Sequence, residues 1–133
     1  MLKNNSLNSQ LNAALSLLGH GQSLVLADAG LPLNERIDLA LRPGLPSFLE
    51  VLRVISEQIV IEKISLANEI KGRSDELLAQ IELLLKKTQG RAVQIELISH
   101  EQLKERISGA KVAVRSGEAS PWANAIIYAG VAF

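Results

Sequence analysis

The residues able to do chemistry in this chain are few and identifiable. Its 133 residues include two histidines, His20 and His100, a single tryptophan, Trp122, and no cysteine. Imidazole titrates near neutrality, so either histidine can give or take a proton at physiological pH. Without cysteine, disulfides and thiolate nucleophiles are both excluded, and a reducing compartment is permitted. Near the C-terminus a polar segment, Arg115-Ser116-Gly117-Glu118-Ala119-Ser120-Pro121, leads into Trp122-Ala123-Asn124. Gly117 and Pro121 mark an irregular path there, because one tolerates unusual dihedrals and the other fixes φ and lacks a donor. An indole platform beside an amide suits a small polar ligand with an apolar face, and a sugar is the obvious example. The plainer reading is a loop with an aromatic plug and a capping Asn.

Composition removes several classes of partner. Lys and Arg number 14, Asp and Glu number 14, and no basic cluster stands out, so nothing electrostatic points to nucleic acid or an anionic membrane. No run reaches the roughly 20 apolar residues of a membrane span. The polar start, Met1-Leu2-Lys3-Asn4-Asn5-Ser6, leads to an amphipathic stretch and not to a signal-peptide core, which gives a cytoplasmic expectation. A hydrophobic share of 47% lies at the upper end of ordinary composition and is compatible with surface buried between copies of the chain. The length fits one domain, residues 1–133, with a substantial core.

The elements that must position these residues follow from periodicity. Leu11, Ala14, Leu15 and Leu18 predict an amphipathic helix over 10–18, capped by Asn8 or Ser9 and ended by Gly19. Residues 23–27 predict a strand running into an Asp28-Ala29-Gly30-Leu31-Pro32 turn, and 36–41 alternate like a second strand. Pro43 and Pro46 interrupt the chain. Ser47 and Glu50 then form a capping box for a helix to about Ser56. Strands are expected at 58–64 and 93–98, with a helix between them that is capped by Ser74 and ended by Gly90. Ser99 and Gln102 open a short helix over 101–107, and apolar runs at 112–114 and 125–128 close the chain. Strands alternating with helices predict an α/β layered domain, a largely parallel central sheet flanked by helices.

In open α/β sheets ligands bind beyond the carboxyl ends of the strands. Asp28, His100 and the stretch 115–118 all fall just past predicted strands. His20 precedes one, and joins them only if the helix end folds back over the sheet. Each also has an ordinary structural reading. His20 suits a helix C-terminus, Asp28 suits a turn, and His100 suits the start of a helix.

Taken together, an ordered set of motifs resembles the D-ribose pyranase family. They are Leu18-Gly19-His20-Gly21, Asp28-Ala29-Gly30-Leu31-Pro32, Arg36-Ile37-Asp38-Leu39-Ala40-Leu41, Pro46-Ser47-Phe48, His100-Glu101-Gln102-Leu103-Lys104, Arg115-Ser116-Gly117-Glu118 with Ser120-Pro121, and Ala129-Gly130-Val131-Ala132-Phe133. The L-fucose mutarotases share the Gly-His-Gly and Gly-Glu elements but resemble the chain less at 28–32 and 36–41.

The resemblance implies an isomerase that interconverts the pyranose and furanose rings of D-ribose. It implies no cofactor and no metal. It also implies a ring-shaped homo-oligomer, commonly a decamer of two stacked pentamers, with sites where subunits meet. Carried over, His20 is the catalytic acid/base, and Asp28, His100, Trp122, Ala123 and Asn124 contact the sugar. The family usually has Tyr where this chain has Trp122, which bears on any role for a phenol hydroxyl. Asp28 suits orienting either the sugar or an imidazole. The competing expectations are a ribose-binding or transport-accessory module without turnover, and an L-fucose mutarotase-like enzyme.

Overall fold

The structure, a computed structural model, describes residues 1–3 and 6–133; Asn4 and Asn5 of the polar N-terminal lead lie outside the described residues. The helices and strands run in the order α1 (Ser9–Ser16), β1 (Ser23–Ala27), β2 (Ile37–Asp38), α2 (Phe48–Ser56), β3 (Ile61–Ala67), α3 (Asp75–Gln89), β4 (Gln94–Ile98), α4 (His100–Ile107) and β5 (Val112–Arg115), and β6 (Ala125–Ala129) ends the series. All six strands join one sheet in the order β2-β5-β1-β6-β3-β4. Five run parallel to one another, and β6 lies antiparallel between β1 and β3. The α/β architecture with a largely parallel sheet is therefore the observed one.

Every residue of β1 is buried, as a strand covered on both faces requires. Leu24 and Leu26 point into a core shared with Leu11 and Leu15 of α1, Leu52 and Ile55 of α2, and Ile81 and Leu85 of α3. Val25 and Ala27 face the other way, toward Ile126 and the Leu103 side of α4. Three helices thus cover one face and a single helix covers part of the other.

Local expectations met different fates. Asn8 caps α1, accepting from Leu11 N–H, but the helix ends at Leu17 and Gly19 is not its left-handed terminator. Both capping boxes form, Ser47 with Glu50 and Ser99 with Gln102. Gly90 ends α3 at φ 60°, whereas Ser74 makes no side-chain cap. The strand expected at 58–64 lies at β3, because Gln58 and Ile59 still bond back to the Ile55 carbonyl. The fully buried Ser65 hides the strand's later half from a hydropathy reading, and its hydroxyl is satisfied by Glu96. The strand expected at 36–41 shortens to β2, since Asp38 turns its carboxylate onto Ala40 N–H and Leu41 N–H bonds Leu45.

Gly117 is where two loops touch. A Cβ there would sit 2.2 Å from the Leu45 carbonyl oxygen and 2.8 Å from that of Arg42, while Gly117 N–H donates to the Pro46 carbonyl at 2.8 Å. Those neighbours are backbone and cannot swing aside. Gly117→Ala is expected to lower unfolding free energy by roughly 1–3 kcal/mol or more. Gly109→Ala meets only ordinary contact at 3.6 Å and is expected to change it by less than about 1 kcal/mol. Urea denaturation of both variants checks this pair.

Candidate functional site

Because β6 runs against its neighbours, it begins at the edge of the sheet where β1, β3, β4 and β5 end. That geometry gathers the sequence-predicted residues. Asp28 directly follows β1, Trp122 and Asn124 precede β6, and His100 is the first residue of α4. Together with Lys104 and Glu118 they line an open cleft of about 600 Å³. Ala123, fully buried, packs in the core behind them.

Asp28 folds its own turn. Its Oδ1 accepts from Gly30 N–H at 2.9 Å and Leu31 N–H at 2.8 Å, the short-range bonding that makes Asp a turn former. Its Oδ2 accepts from Asn124 Nδ2 at 2.9 Å. No imidazole is bonded to it among the described residues. The His100 ring meets Trp122 edge-on, with centroids 5.0 Å apart, and its buried Nδ1 has no partner among the described residues. Arg73 lies over the indole at 5.5 Å. Trp122 itself takes φ 72°, the left-handed region, at a cost of roughly 1–2 kcal/mol for a residue with a Cβ. Strain of that kind persists where the surroundings impose it, and here it sets an indole on the wall of a cleft.

His20 is elsewhere. It sits before β1, where Gly21 N–H donates to the Ala129 carbonyl at 2.8 Å, at the opposite edge of the sheet. The helix end does not fold back over the carboxyl edge. From Gln22 to Asp28 the chain covers six steps, roughly 20 Å at strand rise. His20 is instead paired through Nε2 with Glu62 at 2.9 Å, and its side chain is 58% exposed.

The cleft rests on a charged clamp. Arg106, further along the same helix as His100 and Lys104, donates to both carboxylate oxygens of Glu96 at 2.9 and 3.2 Å and reaches the Tyr128 hydroxyl at 3.3 Å. Ser65 and Lys63 complete the shell around Glu96. The guanidinium first, then the serine hydroxyl, hold the Glu96 carboxyl down at about 2, against an ordinary 4.5. Glu96 in turn raises Arg106. This fixes α4 to β3, β4 and β6. Arg115 pairs with Asp38 through two bonds of 3.0 and 2.8 Å, which ties β5 to β2, and it also donates to the Ala29 carbonyl at 3.3 Å in the turn beside the cleft. Glu118 accepts from Phe48 N–H at the start of α2. Burial pushes its carboxyl up, but bonds from Phe48 and Ser120 outweigh that and hold it below the usual range.

Lys104 was not singled out from sequence, although its spacing four residues after His100 on one helix was the available signal. Arg73 gave no such signal, since it approaches Trp122 only through the fold. Among the described residues no three His, Cys, Asp or Glu side chains are grouped to hold a metal ion, and no helix is long and apolar enough to cross a membrane.

A family model described as the RbsD / FucU transport protein family matches residues 1–132. The chain belongs to that family. A D-ribose pyranase of Haemophilus influenzae is 44% identical, with 100% of each chain covered. The structure of Bacillus subtilis RbsD complexed with D-ribose superposes with a TM-score of 0.90 at 41% identity, again over 100% of each chain. A Streptococcus pneumoniae fucose mutarotase in complex with L-fucose gives 0.84 at 25% identity, over 99% of this chain and 100% of that one. Within the family, then, the ribose branch is nearer to this sequence than the fucose representative, as the motifs at 28–32 and 36–41 suggested.

The clamp predicts an acid limb in stability. Glu96 has a folded pKa below its unfolded value, so its contribution is complete above about 4.5 and is lost as pH falls toward about 2. Partial exposure of both partners screens it to about 1 kcal/mol or less. Glu96→Gln is expected to lower stability at neutral pH and to flatten that part of the pH profile, as read by urea denaturation across pH.

Proposed function

We propose that this chain, acting as one domain over residues 1–133, interconverts the pyranose and furanose forms of D-ribose by acid/base ring opening. The observation that carries this reading is the cleft at the strand ends, with Asp28, His100, Trp122 and Asn124 on its walls, in a chain related over its full length to a D-ribose pyranase. Cytoplasmic action on free intracellular ribose accompanies it.

The chemistry divides between two edges of the fold. Opening the six-membered ring removes the proton of the anomeric hydroxyl and delivers one to the ring oxygen, so that the C1–O5 bond breaks and an aldehyde forms. Rotation then brings the C4 hydroxyl to C1, and the reverse proton movements close the five-membered ring. Imidazole performs both transfers near neutrality. His20 Nε2 lies 2.9 Å from Glu62 Oε2, and with Nε2–H donating to that oxygen, Nδ1 is the working nitrogen. Asp28, His100 and Lys104 supply hydrogen bonds to hydroxyls, and Trp122 supplies a face for the C–H side of the sugar.

In one protomer His20 and the cleft are far apart, so the proposed site is completed between copies, with His20 of one copy placed over the cleft of the next. The exposure of the His20 side chain and of Leu17, Leu41 and Phe133 is consistent with such contacts. A ring of this kind, a decamer of two pentamers, is the assembly proposed.

The arrangement makes a complementation test possible. NMR exchange spectroscopy of ribose reads pyranose–furanose conversion directly. His20→Ala is expected to slow it by roughly 10²–10⁴-fold while keeping much of the ribose affinity. Asp28→Asn is expected to lose binding. Co-assembled from a mixture, the two variants should regain part of the wild-type rate through hybrid interfaces. A mixture no faster than its components would show that each site is built within one copy.

Trp122 offers a second measurement. Trp has a larger ring face than Tyr but only an N–H donor. Trp122→Tyr is therefore expected to change turnover only modestly, and Trp122→Ala to weaken ribose binding. A large gain in turnover in the Tyr variant, at unchanged affinity, would assign the mechanism a hydroxyl that this chain lacks.

A further inference from the structure

Asn124 immediately precedes β6 and is 1% exposed. Both polar atoms of its amide are directed at Asp28. Nδ2 donates to Asp28 Oδ2 at 2.9 Å, and Oδ1 accepts from Asp28 N–H at 2.8 Å. Chemistry fixes the orientation, because the flipped amide would set an NH₂ group against a backbone N–H. Asp28 Oδ1 meanwhile accepts from two backbone N–H groups. A carboxylate oxygen offers about two acceptor positions, so Oδ1 is filled and Oδ2 keeps one.

We propose that Asn124 is a positioning residue, acting on the sugar through Asp28 by fixing a carboxylate that accepts one ribose hydroxyl at Oδ2. The proposal rests on the ribose-site reading above. It gives Asn124 a different part from the direct sugar contact implied by the family resemblance. It also gives Asp28 a stoichiometry of one ligand bond, which restricts the hydroxyls it can serve at once.

Asn124→Asp tests the coupling with little change of shape. The new carboxyl group still accepts from Asp28 N–H, but it sets a second acidic oxygen against Asp28 Oδ2. Two carboxyl groups at that range share a proton at low pH and repel when both ionise. With the shared proton the wild-type hydrogen bond is reproduced, and without it Asp28 is displaced. His100 and Lys104 of α4 and Glu118 of the adjoining loop also face this cleft, and wild-type protein titrated in parallel accounts for them. Trp122 is the sole tryptophan and lines the cleft, so its fluorescence reports ribose binding without requiring turnover.

At about pH 5 the variant is expected to bind ribose within about threefold of wild type, and at about pH 8 at least about tenfold more weakly. Asp28→Asn combined with Asn124→Asp restores an amide–carboxylate pair. That double variant is expected to recover the melting temperature at about pH 8 without recovering ribose affinity. An Asn124→Asp variant that tracks wild-type affinity at both pH values would overturn the proposal. So would a double variant whose affinity returns along with its melting temperature. If wild-type protein shows neither a fluorescence response nor ring exchange with ribose, the ribose reading itself falls and takes this proposal with it.

Discussion

The antiparallel placement of β6 in the middle of an otherwise parallel sheet is the constraint on which the site depends. A parallel strand in that position would begin at the amino edge, and Trp122 and Asn124 would be carried to the wrong side of the molecule. Running the other way, β6 starts beside the ends of β1 and β3 and delivers both residues to Asp28. Its far end meets the turn before β1, where Ala129 bonds Gly21 and Gln22. One buried strand therefore touches both edges, the one that carries the cleft and the one that carries His20. The length of β1 then sets the distance between them.

Rigidity at the cleft is distributed unevenly. Asp28 is held by backbone and by a buried amide, which cost little to maintain and admit little motion. The α4 wall depends more on charge, since only one helix covers that sheet face and Arg106 binds Glu96, Ser65 and Tyr128 from three strands. A half-exposed ion network is softer than a packed core and responds to acid and salt. The two sides of the cleft thus have different sensitivities to solution conditions.

Much of this was legible in the sequence because it is local. Capping boxes at Ser47 and Ser99, the Gly90 terminator, the Asp28 turn and the β1 run each depend on residues within a few positions. What escaped depends on residues far apart. Ser65 can lie buried in the middle of a strand because Glu96, 31 positions away, accepts its hydroxyl. Arg115 divides its guanidinium between Asp38 on the neighbouring β2, 77 positions away, and the Ala29 carbonyl, 86 positions away, and neither partner is visible from its place in the chain. The pairing of Asn124 with Asp28 spans 96 positions and has no sequence signature. His20 shows the same limit, since a strand gives order along the chain but leaves open which edge the helix before it will occupy.

The left-handed backbone at Trp122 sets stability against use at a single position. Glycine, or asparagine to a lesser degree, would relax that conformation and steady the loop. Selection for thermal robustness alone would therefore drift toward small residues here and strip the cleft of its aromatic wall. Directed evolution of a hardier variant would do well to hold this codon fixed and seek its gains elsewhere.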